Sequence, residues 1–110
     1  MNSLSLAGVL TGTPTYHCNP EARDLLRFTL RTPPSGAAGS TEEDHHCLAW
    51  GPAALDLHVH LKVGDQLVVR GELRYRPRPN ALPDDPAYRI PEVYVKGYSY
   101  LGTSEEQGSQ

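Results

Sequence analysis

Cysteine, tryptophan, phenylalanine and methionine are all scarce in this 110-residue chain, which has two of the first and one of each of the others. Cys18 and Cys47 form no closely spaced pair and no cationic, apolar leader precedes them, so secretion has no support and a reduced cytoplasmic thiol pair is expected. Long apolar runs are missing too. Asp56, Lys62, Asp65 and Arg70 interrupt the most apolar region well short of the roughly twenty residues that a bilayer crossing requires, so no membrane association is expected. Positive charge is in deficit, ten Lys/Arg against thirteen Asp/Glu, and any attraction for a polyanion must therefore be local. Catalytic signatures are lacking as well: no serine sits in a nucleophile elbow and no glycine-rich phosphate loop carries a lysine. Asp84-Asp85 lies between Pro83 and Pro86 and reads as an exposed acidic turn. The expectation is a non-enzyme without cofactor.

Tyrosine and arginine are present, and they are interleaved. Tyr75, Tyr88, Tyr94, Tyr98 and Tyr100 crowd the C-terminal third among Arg74, Arg76, Arg78, Arg89 and Lys96. That mixture can stack bases and hold phosphates on one surface. Between Lys62 and Arg78 there are five Lys/Arg and two acids, whereas Glu42-Glu43-Asp44 and Glu105-Glu106 lie outside that segment.

Apolar periodicity orders the elements. Leu4, Leu6 and Leu10 share one phase, with Gly8 as a bend or bulge and Gly12-Thr13-Pro14 closing the run. Leu26, Phe28 and Leu30 alternate with Arg27, Thr29 and Arg31, which makes the clearest amphipathic strand. A small, polar connection follows from Pro33 to Asp44, and His45 to Trp50 supplies a third strand ended by Gly51. Pro52 suits a first helical turn, although Leu57-His58-Val59-His60-Leu61 also fits a strand. After the turn at Lys62-Val63-Gly64-Asp65, Leu67, Val69, Gly71 and Leu73 share a phase, with Gly71 at a strong bend. Val93, Val95 and the residues to Leu101 form a last strand, so that 1–102 reads as one domain and 103–110 as a short flexible tail. An open sheet of such short strands would leave reactive edges, which favours an all-β, closed five-stranded barrel with a short helix between strands 3 and 4.

The order of these pieces resembles the bacterial single-stranded DNA-binding protein family. The resemblance runs from Asn2 to about Leu101 and is carried by Asn2-Ser3-Leu4-Ser5-Leu6-Ala7-Gly8-Val9-Leu10, Gly12 with Pro14, Leu26-Arg27-Phe28-Thr29-Leu30 and His46-Cys47-Leu48-Ala49-Trp50-Gly51. Most specific is Leu61-Lys62-Val63-Gly64-Asp65-Gln66-Leu67-Val68-Val69-Arg70-Gly71-Glu72-Leu73-Arg74, similar to the family's lysine-glycine turn and its glycine-x-leucine continuation. The resemblance implies an oligonucleotide/oligosaccharide-binding (OB) barrel and binding of single-stranded DNA. It also implies a homodimer or homotetramer, work in replication, recombination or repair, and a protein of those processes as a further partner. Trp50 falls where the family often has an aromatic, and Arg74 and Arg76 fall in its cationic fourth-strand extension. The chain departs from the pattern at Asp44-His45 and at Arg78, where the family frequently has tryptophans. It departs again in the tail, which ends Glu106-Gln107-Gly108-Ser109-Gln110 in place of an acidic tip with a terminal proline-phenylalanine.

The candidate nucleic-acid contacts are Arg27, Arg31, Trp50, Arg74, Tyr75, Arg76, Arg78 and Tyr88. Tyr75 and Tyr88 either stack on bases or pack turns and subunit contacts. Trp50 either stacks or fills the barrel or an interface. Extended backbone puts Arg74, Arg76 and Arg78 on one side, as a binding stripe continued by Arg27 and Arg31 or as a solvated hairpin. Tyr94, Tyr98 and Tyr100 fit one sheet face, and Lys96 is a weaker candidate because Glu92 offsets its field. His45, His46 and Cys47, with His17 and Cys18, lack the spacing of a zinc site, so no metal is expected. The competing function class is an OB-fold interaction or structural module with weak or no nucleic-acid binding.

Overall fold

A computed structural model describes residues 1–18, 24–34, 36, 38–78, 82, 84 and 89–103. Five strands, β1 (Leu4–His17), β2 (Leu25–Thr32), β3 (Glu43–Trp50), β4 (Asp65–Pro77) and β5 (Arg89–Thr103), close into a barrel in the order β1-β2-β3-β5-β4, with helix α1 (Gly51–His60) between β3 and β4. All neighbours are antiparallel except β3 and β5, whose parallel pairing is confined to Cys47 with Val93 and Leu48 with Tyr94. This is the OB arrangement.

The inward phases meet as expected. Leu10, Leu26, Leu30, Leu67 and Val69 are wholly buried, with Phe28, Val93 and Val95 beside them. Burial of aliphatic side chains at about 1.5–3 kcal/mol each is the main favourable term. The ambiguous 57–61 segment is helical for a reason visible in the burial: Ala54, Leu57 and Leu61 face the core at helical spacing, whereas Val59 is 68 % exposed. On a strand Val59 would share the face of Leu57 and Leu61.

Three boundaries differ from the sequence reading, one of them the start of β5, which lies at Arg89 and not at Val93 because Arg89, Ile90 and Pro91 pair with Pro77, Arg76 and Tyr75. β1 does not end at Gly12-Thr13-Pro14 but resumes pairing with β2 from Thr15 to His17, the register shifting between Thr11 and Thr15. Pro14 lies in that gap, where no ladder N–H is needed. Glu43 and Asp44 belong to β3, not to the connection, because they pair with Thr32 and Arg31 and Asp44 binds the Arg31 guanidinium across the strands.

The glycines of the first and fourth strands act through space. Gly8 keeps regular register with Leu67, so no bulge forms there, but a Cβ on it would come 2.7 Å from the Arg31 carbonyl oxygen. A Cβ on Gly71 would come 2.0 Å from that of Tyr94. Opposite Arg70 and Gly71, β5 carries one extra residue, Lys96, which bends the pair. That extra residue also overturns the single face expected for three tyrosines. Tyr94 opposes Glu72 on the outer phase, whereas Tyr98 and Tyr100 oppose Val69 and Leu67 on the inner one. Their hydroxyls donate to Asp56 of α1 at 2.7 and 3.2 Å.

Beyond Gly71, β4 leaves β1 and keeps β5 as its strand partner. The side chain of Asn2 exchanges two hydrogen bonds with the Leu73 backbone at the point of departure. The result is a two-stranded arm, Arg74–Pro77 against Arg89–Glu92, projecting over the outer side of β2 and β3.

Candidate nucleic-acid interface

A groove of about 290 Å³ runs between the barrel wall and this arm. Thr11, Thr13 and Thr15 of β1, Arg27 and Thr29 of β2, and His46 and Leu48 of β3 form one wall; Arg76, Ile90 and Glu92 form the other. Strand alternation explains the lining. With Leu26, Phe28 and Leu30 turned inward, Arg27, Thr29 and Arg31 must face out.

Arg27 and Arg76 meet across the groove. Arg27 Nη1 and Arg76 Nε donate to one oxygen, Oε2 of Glu92, at 3.2 and 3.1 Å. Glu92 itself is buried. Next to this cluster lies an aromatic platform. Trp50, at the end of β3, meets Tyr94 edge-on at 4.7 Å between centroids, and the Arg74 guanidinium lies 5.8 Å from the Tyr94 centroid. Arg74 also donates to Glu72 Oε2 at 2.7 and 3.1 Å, which holds the Glu72 carboxyl below its ordinary pKa.

The other predicted contacts fall elsewhere. Arg31 shares the outward face of β2 but is held by Asp44 at 2.8 and 3.3 Å. That bond raises the arginine and depresses the carboxyl. Arg31 lines a second cavity, about 490 Å³, with Val9, Thr11, Glu42 and Leu101. Tyr75 is 54 % exposed and pairs with Pro91 on the opposite face of the arm from Arg74 and Arg76. Arg78 is exposed past the end of β4. Tyr88 lies outside the described residues. The expected cationic stripe is therefore only partly a stripe: four arginines (27, 31, 74 and 76) face three carboxylates (Asp44, Glu72 and Glu92). Among the described residues, Lys62, Arg70, Arg78, Arg89 and Lys96 take no ion pair.

Glu92 and the β1 threonines, which line the groove, and Tyr94, two residues along β5 from Glu92 on the same outward phase, are residues that the sequence reading did not select. The signal for Tyr94 was its outward phase opposite Glu72, hidden by the insertion at Lys96. His45 and Cys47 are occupied locally: His45 Nε2 lies 3.0 Å from Thr32 Oγ1, and burial pushes the Cys47 thiol up to about 12. Among the described residues no three His, Cys, Asp or Glu side chains are grouped to hold a metal ion, and no helix is long and apolar enough to cross a membrane.

A closed five-stranded barrel with an arginine-lined groove under its β4–β5 arm, and the Trp50–Tyr94 pair nearby, has the architecture of the oligonucleotide-binding fold. The family model described as the single-strand binding protein family matches residues 1–90, and the chain belongs to that family. Membership supports single-stranded DNA as its partner, and the family's proteins are non-catalytic binders. No curated protein matches the chain's sequence at a significant level.

Proposed function

We propose that the protein binds single-stranded DNA in the groove between β1–β3 and the β4–β5 arm, without catalysis. On this reading it acts as a cytoplasmic homodimer or homotetramer in replication, recombination or repair, with a protein of those processes as a further partner. The observation that carries the interface is the meeting of Arg27 and Arg76 beside the Trp50–Tyr94 platform. Forked donors suit phosphate oxygens, and an aromatic surface accepts any unpaired base at about 1–3 kcal/mol per base. Duplex bases are already stacked, so a single strand gains more from such a platform.

Trp50 is the protein's one tryptophan and stands in the proposed interface. Titration of its emission with a polythymidine strand at low and moderate salt tests the reading. Binding should weaken with salt and exceed that of duplex in matched buffer. The pairing of four arginines with three carboxylates favours a second reading, an OB interaction module. Absence of binding at micromolar protein in low salt would select it. Light scattering over a concentration range tests assembly, with an unchanged monomer mass counting against it.

A further inference from the structure

Glu92 stands on the outer phase of β5, yet its side chain is only 3 % exposed, and it is the one buried acid among the described residues. Two guanidiniums from different strands converge on the same oxygen of it. Arg27 spends Nη1 and Arg76 spends Nε on this contact. A guanidinium has five N–H donors, so each arginine keeps others, and both side chains remain about two-fifths exposed, at 41 % and 39 %.

We infer that Glu92 is a built-in counter-anion of the groove, holding Arg27 and Arg76 together while cancelling one of their two charges, so that the pair counts as a single cation toward a DNA strand. A carboxylate and a phosphodiester each carry one negative charge and accept from the same donors. Without an anion between them, two guanidiniums brought to one point would repel. With Glu92 in place, a phosphate that reaches their remaining donors meets a net charge of one. Glu92 is thus a positioning residue that sets how much of the affinity is electrostatic. The inference rests on the reading that this groove takes single-stranded DNA.

Glu92→Gln tests it, since glutamine keeps a neutral acceptor of the same shape between the arginines and removes only the charge. The full chain is titrated with polythymidine between 50 and 200 mM salt. One more net cation should steepen the slope of log affinity against log salt by about 0.7. Taking equal affinity at 1 M, that makes the variant about eightfold tighter at 50 mM and about threefold tighter at 200 mM. The double variant Arg76→Gln/Glu92→Gln removes one cation and the anion together, leaves no unpaired guanidinium couple and should keep the wild-type slope. Equal or weaker binding by Glu92→Gln with an unchanged slope overturns the inference. So does a double variant whose slope is shallower by about 0.7, as loss of Arg76 alone would produce. A wild type that binds no strand in low salt removes the functional reading, and the inference with it.

Discussion

Alanine at Gly71 would test whether the approach of β4 to β5 organises the interface. The new Cβ would lie 2.0 Å from the Tyr94 carbonyl oxygen and 2.9 Å from its carbonyl carbon. Carbon–oxygen contacts in sheets are about 3.3 Å or longer, so β5 must retreat by more than about 1 Å. The obstacle is backbone at a register shift, which places the cost near the upper end of overpacking, about 3 kcal/mol. At about 4 °C per kcal/mol for a domain of this size, the melting temperature should fall by about 12 °C. Gly97 provides the control, because a Cβ there meets only the flexible end of Arg70 at 2.9 Å, and its alanine variant should melt within about 2 °C of wild type. Circular dichroism gives the melting temperatures, and Trp50 emission follows the platform, since the displaced residue is the one whose ring touches Trp50. Equal melting of the Gly71→Ala and Gly97→Ala proteins would refute the close-approach reasoning.

Trp50→Ala should weaken single-strand binding by about 1–3 kcal/mol in a titration with a labelled strand, and Tyr94→Ala should weaken it too by removing the edge that holds the indole. Arg74→Ala and Arg76→Ala should each lower affinity across unrelated sequences and make the salt slope shallower by about 0.7, while Tyr75→Phe should bind nearly as wild type. The hydroxyls of Tyr98 and Tyr100, with His60, hold the Asp56 carboxyl below its ordinary value, so that contribution to stability is full above the unfolded pKa and lost as pH falls through the folded one. Acid unfolding of Asp56→Asn should lack this component. Tyr98 behaves oppositely: burial and its bond to Asp56 push it from 10.0 up to about 12, so its contribution is intact below pH 10.0 and lost as pH rises toward 12. Melting temperatures across that range, read beside tyrosinate absorbance, check the sign.

The legible parts of the fold were those written in short-range alternation. β2 shows its two faces in six residues, Leu26 to Arg31, because every second side chain is apolar. The helix was half legible, since Leu57 and Leu61 satisfy both periods and only the exposure of Val59 separates them. Long-range register was not legible. The residue that puts Tyr98 and Tyr100 in phase with Val69 and Leu67 is Lys96, an ordinary strand residue, and the space that admits the bend belongs to Gly71 on the partner strand. Likewise Arg27 meets Glu92 across 65 positions in sequence, a contact that depends on β5 lying beside β3.

These pairings decide what kind of binder an acidic protein can be. Charges more than a Debye length apart, about 8 Å in physiological salt, act weakly on one another, so the net charge of −3 says little about a strand already in the groove. What counts there is the local sum. Arg74 is matched by Glu72, Arg31 by Asp44, and Arg27 with Arg76 share Glu92. Only one net positive charge remains from these four arginines, with the other cations set around them. A surface so balanced gains less from counterion release than a row of free arginines would, and on the proposed reading correspondingly more of its affinity comes from bases packed on Trp50 and Tyr94. On the proposed reading, the same balance predicts a preference for a single strand. A duplex offers the phosphates that the paired arginines attract weakly, and withholds the unstacked bases that the platform requires.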